Sequence, residues 1–440
     1  GLGDVYKRQG HPCSPTPTTL WRTWPSSTTS TARPACRSGV PTDWRDEPAR
    51  VVVVRPVRCH ASLVTSALPQ IPADLLPADG RFGAGPSRVR RSSIDALNAV
   101  ADSYLGTSHR QATVRDQVAR LRRGLTELLE LPDGWEIVLG NGGTTIFWDA
   151  ATFGLVERRS QHVVCGEFSG KFASATRAAP FLDEPEVVSV DPGRAGRPAA
   201  VDGVDAYCLT HNETSTGVMN PIERPAGADP DALVLVDATS VAGAARWNTA
   251  EVDAYYFAPQ KVLASDGGLW LAACSPAALD RIGRIGASDR WIPTSIDLVT
   301  ALDNSRKEQT YNTPALATIF LAAEQVDWLN GEGGLDFAEE RCRSTSGAIY
   351  AWADKSEVAT PFVAEPDDRS IVVCTIDFDG VDAAEIAKTL RANGVVDVEP
   401  YRKLGRNQLR IATFPAVPLG DVEALLGCID WVVDHVGAAR

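Results

Sequence analysis

Between residues 136 and 273, short apolar runs alternate with longer amphipathic stretches. Glu136–Leu139, His162–Cys165, Val187–Val190, Ala206–Thr210, Ala232–Val236, Ala254–Phe257 and Leu269–Ala273 are apolar at successive positions, which predicts strands buried on both faces. Such strands separated by helix-length stretches predict an α/β domain built on a mainly parallel sheet. Ahead of them, Ile94–Leu105 and Val114–Leu131 carry apolar residues at helical spacing, the second stopping at Pro132-Asp133-Gly134. The Gly/Pro-rich stretch Asp79–Arg90 (DGRFGAGPSRVR) reads as an ordered loop entering the first helix. Beyond about residue 330 the pattern becomes strand, helix, strand, strand: Ile371–Phe378, Asp382–Asn393, Val395–Tyr401 and Gln408–Phe414. A last helix places Val422, Leu425, Ile429 and Val432 on one face. This second pattern predicts a small α+β domain, joined to the first through a helical stretch around Ala315–Leu329.

Composition changes the picture at one end. The first 66 residues hold nine Lys/Arg against four acids, whereas the whole chain carries −13. Pro15–Arg37 is Ser/Thr/Pro-rich with no period, and the first methionine is Met219. Residues 1–66 are therefore expected to be a non-native or disordered extension, with the true start near Val64. The large domain is expected over 67–329 and the small one over 330–440. No Lys/Arg-rich run suggests nucleic acid, and no stretch reaches eighteen apolar residues, so neither nucleic acid nor a membrane is expected as a partner. Nine cysteines are scattered without a C-x-x-C pair, which argues for reduced thiols in the cytoplasm, against a disulfide framework and against a metal site.

Candidate chemistry sits at strand ends. Asp237 closes the run Ala232–Val236, at the carboxyl edge where open α/β sheets bind ligands. Lys261 follows the next strand through the turn Ala258-Pro259-Gln260, so adjacent strands can present a carboxylate and an amine to one crevice. Pyridoxal phosphate needs that pair: an amine to take its aldehyde, and a carboxylate to keep the ring nitrogen protonated. Gly140-Asn-Gly-Gly-Thr-Thr145 lies between a strand and a helix, where free amides and the helix dipole suit one phosphate. It lacks both the dinucleotide glycine spacing and the P-loop lysine. Asn212-Glu213-Thr214 also falls at a strand end, where a threonine hydroxyl could meet a cofactor or simply belong to a turn. His109-Arg110 lies on a loop after a helix, and Arg402, Lys403, Arg406 and Arg410 gather around a hairpin of the small domain. Arginine forks suit carboxylates and phosphates, though exposed basic residues are more often merely solvated.

From about Ile71 to the C-terminus the chain resembles the phosphoserine aminotransferases, in particular their actinobacterial branch. The motifs are GRFGAGPS, GTSHRQ, GNGGTT, HNETSTG, DATS, YYFAPQK followed by SDGGLW, YNTPA, and EPYRKLGRNQLR. The resemblance implies the aspartate-aminotransferase-like fold of pyridoxal-phosphate enzymes (fold type I), in a homodimer with its sites at the interface. It implies Lys261 as the lysine that carries the cofactor and Asp237 as partner of the ring nitrogen. Gln260 and Thr214 would bond the ring hydroxyl and phosphate region, and Phe168 would stack on the ring where many relatives have Trp. Gly143, Thr144 and Thr145 would form the phosphate loop, while Asn312 and Thr313 would reach the phosphate from the other subunit. His109 and Arg110 resemble an anion-binding pair and Arg410 the α-carboxylate anchor. The His-Arg pair that many relatives carry before that arginine is replaced by Tyr401-Arg-Lys-Leu-Gly-Arg406. The substrate phosphate contact is thereby left among Arg402, Lys403 and Arg406.

The implied reaction moves an amino group from L-glutamate to 3-phosphohydroxypyruvate, in serine biosynthesis, with a phosphohydroxythreonine step of pyridoxine biosynthesis as an extension. A serine/alanine–glyoxylate-type aminotransferase would keep the Asp-Lys pair without needing several basic residues distally. A cysteine desulfurase is disfavoured, since Gln260 stands where such enzymes usually carry His. A non-catalytic ligand-binding protein would use the crevice without chemistry.

Overall fold

The computed structural model describes residues 68–437, so the expectation for residues 1–66 lies outside the described residues. Helix α1 (Arg91–Tyr104) leads to α2 (Ala112–Leu128), whose Val114, Val118, Leu121, Leu125 and Leu128 recur at helical spacing and are all buried. Then come β1 (Glu136–Asn141), α3 (Thr144–Gly154), β2 (Ser160–Val164), α4 (Glu167–Ala178), β3 (Glu186–Ser189) and β4 (Ala206–Thr210). A two-residue ribbon, β5 (Asn212–Glu213) with β6 (Val218–Met219), precedes β7 (Leu233–Asp237), β8 (Ala254–Phe257) and β9 (Leu269–Cys274). The seven-stranded sheet runs β1-β9-β8-β7-β4-β2-β3. Its stretch from β8 to β3 is parallel, and β9 pairs antiparallel with both β1 and β8. Strands β4, β7, β8 and β9 are buried at every position, which is why they read as unbroken apolar runs.

Helices α5 (Pro276–Gly286), α6 (Leu298–Ser305) and α7 (Leu316–Glu332) follow. Ser275 and Asp297 cap the first two by accepting from backbone amides of the first turn. Gly333, at φ 127, separates α7 from α8 (Gly334–Ala353). Strands β10 (Ala359–Pro361) and β11 (Val373–Phe378), helix α9 (Ala383–Ala392), strand β12 (Gln408–Ala412) and helix α10 (Leu419–Gly437) complete the chain. β10, β11 and β12 form a three-stranded antiparallel sheet. Val422, Leu425, Ile429 and Val432 of α10 are fully buried in its core, as their spacing predicts. No described helix is long and apolar enough to cross a membrane. The six described cysteines are buried and unpaired.

Three expectations are corrected. Val395–Tyr401 is not a strand: its backbone pairs across to neighbouring segments only through a single parallel bridge of Val396 with Arg81 and the bond from Arg410 N to Val398 O. Asp397, at φ 67, breaks the extended run, so the expected hairpin is instead an irregular segment ending in a 3-10 turn at Arg402–Leu404. The long helix α8 was not expected. Its buried face uses Ala338, Cys342, Thr345 and Ser346 beside Leu335 and Ile349, too polar and small to stand out as a stripe. Finally, residues 71–82, expected in the large domain, pack with the small sheet. Ile71 and Phe82 belong to its core, Phe82 N donates to Val396 O, and Ala412 N donates to Phe82 O. Arg88 pairs with Asp421 of α10 at 2.6 Å.

Phe82→Ala is expected to destabilise the protein by about 3–5 kcal/mol, the usual cost of deleting a fully buried aromatic side chain. Urea unfolding of the cofactor-free protein measures it; a loss under about 1 kcal/mol would mean that the segment is a loosely held strap.

Candidate active site

Parallel pairing of β7 with β8 sets Asp237 opposite Tyr256, and the chain leaving β8 turns at Pro259-Gln260 to bring Lys261 to the same sheet edge. Asp237 is 4% exposed. Its Oδ1 accepts from Thr239 N at 2.9 Å and Thr239 Oγ1 at 2.5 Å, and its Oδ2 accepts from Trp148 Nε1 at 3.0 Å. Burial pushes the Asp237 carboxyl up, and the bonds from Thr239 and Trp148 pull it back. Lys261 Nζ donates to Ala84 O at 2.5 Å. Burial, and next the charge of Arg410, pull the Lys261 amine down to about 8, while Asp237 opposes them. The loop that supplies Ala84 is stitched to the lysine turn: Ser87 N donates to Gln260 O at 2.8 Å and Ser87 Oγ to Lys261 O at 2.5 Å. Gly85 has φ 143, a conformation strained for any residue with a Cβ, and a Cβ there would also fall 2.2 Å from the lysine nitrogen and displace it.

These groups line a cavity of about 190 Å³. Gly143, Thr144, Thr145, Phe168, Thr214, Asp237, Gln260 and Lys261, eight expected cofactor residues, all reach it. Gly142, at φ 105, turns the chain from β1 into α3, whose first residues are Thr144 and Thr145. First-turn amides have no partner within their own helix, so they face the cavity edge as anion donors. Phe168 stands in the first turn of α4, which is held by the fully buried carboxylate of Glu213. Its oxygens accept from Phe168 N, Ser169 N, Ser169 Oγ, Ser215 N and Ser215 Oγ.

The cavity fits pyridoxal phosphate. Gln260 Oε1 and Asn212 Oδ1 are buried without hydrogen-bond partners, as acceptors for a ring hydroxyl would be. Asp237 Oδ2, with one donor, retains capacity for a ring N–H. Residues of the helix α3 N-terminus, a carboxylate and an amine line the one cavity.

The remaining residues separate into groups. Arg410 borders the site: its guanidinium donates to Thr214 O at 3.4 Å and lies 5.5 Å over the Tyr401 ring, which in turn packs on Phe168. Burial lowers the Arg410 pKa, its Nε is unpartnered, and among the described residues no carboxylate pairs with it. A half-buried cation in that condition has the chemistry to take a carboxylate. Lys403 pairs with Glu167, next to Phe168. Arg406 is turned away, pairing with Asp377 and stacking on Phe362 at 4.5 Å, and Arg402 is exposed. His109, Arg110, Asn312 and Thr313 do not line this cavity. They form a separate patch, with His109 Nδ1 3.2 Å from Thr313 Oγ1 and Asn312 N donating to Asn141 Oδ1 at 3.3 Å.

Four cavity residues were not among the expected ones: Trp148, Thr210, Asn212 and Thr239. Asn212 and Thr239 were within reach, since each stands two residues from an expected residue, Thr214 and Asp237. Trp148, one helical turn past the phosphate loop, carried no comparable signal.

Fold and cavity together define an aminotransferase of the pyridoxal-phosphate fold type I. Residues 195–398 match the model of the class-V aminotransferases. Over 375 residues the chain is 62% identical to phosphoserine aminotransferase of Nocardioides sp., covering 85% of this chain and 100% of that one. The crystal structure of a Cytophaga hutchinsonii phosphoserine aminotransferase superposes with a TM-score of 0.75 at 24% identity, covering 80% of this chain and 99% of that one. A pyridoxal-phosphate-bound phosphoserine aminotransferase from Trichomonas vaginalis gives 0.68 at 18%, over 80% of this chain and 99% of its own. The chain belongs to the phosphoserine aminotransferase family.

The Lys261 amine must be unprotonated to take an aldehyde, so capture of pyridoxal phosphate by the cofactor-free protein should accelerate as pH rises through about 8 and level off above it. At pH 6 the rate should be roughly a hundredfold below the plateau. Stopped-flow absorbance measures it; a midpoint near 10 would show that the amine is not desolvated.

Proposed function

We propose that the chain transfers the amino group of L-glutamate to 3-phosphohydroxypyruvate, giving O-phospho-L-serine and 2-oxoglutarate for serine biosynthesis, as a cytoplasmic homodimer. The carrying observation is a buried amine and a buried carboxylate, Lys261 and Asp237, in one cavity that ends on the open amides of α3. Pyridoxal phosphate, when bound, supplies an aldehyde that exchanges amino groups and a protonated ring that withdraws electrons from the substrate Cα.

Lys261 would hold that cofactor at rest, and its amine, with a pKa of about 8 when free, would move the proton at the substrate Cα. Asp237 keeps the ring nitrogen protonated. Gln260 and Thr214 hold the ring hydroxyl side, Gly143, Thr144 and Thr145 the phosphate, and Phe168 covers the ring. Arg410 orients the α-carboxylate, its only missing partner being an anion. The second half of the cycle runs the same steps in reverse with the oxo acid, which gives ping-pong kinetics. A phosphohydroxythreonine substrate of the pyridoxine route presents the same carboxylate and phosphate, and the same residues serve it.

Two groups of cations remain for the substrate's distal anion. Arg402, Lys403 and Arg406 lie on the small unit, Lys403 being tied beside Phe168 through Glu167. His109 and Arg110 sit with Asn312 and Thr313, and this patch serves the neighbouring protomer's cavity. Three features favour that assignment: the buried, unpartnered His109 Nε2, and the exposed side chains of Tyr311, beside Asn312, and Trp291.

Arg110→Ala should lower kcat/KM for phosphohydroxypyruvate by about 30- to several-thousand-fold, and far less for pyruvate. Lys261→Ala should be inactive. Mixing the impaired Arg110→Ala with the inactive Lys261→Ala under subunit exchange should restore about a quarter of wild-type activity toward phosphohydroxypyruvate, since half of the dimers then hold one intact site of two. No recovery, with exchange verified by mass, would place both residues in the same protomer's site and overturn the dimer reading.

A further inference from the structure

Helix α3 contributes to the cavity at two places. Its first turn supplies Thr144 and Thr145, and one turn later Trp148 reaches Asp237. Trp148 is 5% exposed and stacks on Phe172 with ring centroids 6.5 Å apart. A buried indole N–H needs an acceptor, and this one finds Asp237 Oδ2 at 3.0 Å. The two bonds from Thr239 both go to Oδ1 and come from two residues along the same chain segment. Among the described residues, Trp148 makes the one side-chain bond to Oδ2, and it does so from a different element. The Thr239 hydroxyl also shares a 2.9 Å hydrogen bond with the Thr144 hydroxyl. A closed ring of contacts, Thr144–Thr239–Asp237–Trp148, thus spans one turn of α3.

We propose that Trp148 is a positioning residue for Asp237: its indole N–H fixes the carboxylate oxygen that receives the ring N–H, and so locks the pyridine partner to the helix that holds the phosphate. This rests on the cofactor reading above. The indole touches the carboxylate rather than the reacting atoms. A donor aimed at one oxygen favours the ionised carboxylate and restrains its rotation, both of which favour a protonated ring. Because the phosphate and the ring nitrogen are referred to one rigid turn, the distance between the two anchors is set by helix geometry rather than by loops.

A double-mutant cycle between Trp148→Phe and Asp237→Asn tests the coupling. The readout is the affinity of the cofactor-free protein for pyridoxine 5′-phosphate, measured by equilibrium dialysis. This probe lacks the aldehyde, so Lys261 contributes nothing covalent. Thermal melts of each cofactor-free variant report folding. Trp148→Phe should weaken the probe about 10- to 100-fold with Asp237 present, the worth of a hydrogen bond to a charged group, and less than about twofold with Asn at 237. Should Trp148→Phe fold poorly, β-(3-benzothienyl)alanine at position 148 replaces the N–H by sulfur at nearly constant shape and should give the same pattern. Equal losses in both backgrounds would make Trp148 a mere wall, and an unchanged affinity would make the bond irrelevant; either overturns the proposal. Failure of the cofactor reading itself looks different: the wild-type protein would then not bind the probe at all.

Discussion

The site depends on one pairing, the parallel register of β7 and β8. It places a carboxylate that ends one strand and an amine that follows the next at the same sheet edge. Both groups are desolvated, and burial pushes them in opposite directions: Asp237 up, Lys261 down to about 8. Neither shift suits a protein that needed only stability, because a buried ionisable group costs free energy that an apolar residue would not. The shifts become useful when a cation is formed beside Asp237 and when a neutral amine is needed at Lys261. The surrounding bonds serve that end, with Thr239 and Trp148 holding the carboxylate and Ala84 O holding the amine.

Lys261 is also where the two cores of the molecule meet. The segment carrying Phe82 lies in the core of the small sheet, and a few residues later the same segment supplies Ala84 O and Ser87 to the lysine turn. Arg410 of β12 approaches from the small sheet as well, through Thr214 O. A shift of the small unit would therefore be felt at the amine and at the carboxylate receptor together. That is a short mechanical path between substrate anchoring and the group that moves the proton.

Much of this architecture is legible in the amino-acid sequence. Strands buried on both faces announce themselves as runs such as Leu233–Asp237, and a phosphate loop announces itself by glycines between a strand and a helix. What stays hidden there has physical reasons. Helix α8 packs small and polar residues, so its period is faint. The failure of Val395–Tyr401 as a strand comes from one residue, Asp397, in a backbone conformation that its identity only weakly predicts. The place of residues 71–82 in the small core is a contact between segments more than 300 positions apart, as the bond from Ile71 N to Asn393 illustrates, and periodicity carries no such information. Trp148 reads like any apolar residue of a buried helix, because its function resides in a single N–H.

Substrate choice follows from how the cations are committed. At the border of the cavity, Arg410 can satisfy one carboxylate, and its half-buried guanidinium has no competing carboxylate among the described residues. A substrate with a second anion needs another cation, and the nearby Lys403 and Arg406 on the small unit are already paired. Those pairs differ from Arg410 in the decisive respect of exposure. The Lys403 side chain is 67% exposed in its pair with Glu167, and Arg406 is 44% exposed in its pair with Asp377. Exposed pairs are weak because solvent screens them, so on the proposed reading exchanging Glu167 for a dianionic phosphate would cost Lys403 little and gain a stronger partner. An unphosphorylated oxo acid offers nothing for which to break the pair. On the proposed reading, Lys403 would add to the discrimination assigned to Arg110, while Arg410 would take the carboxylate that every substrate shares.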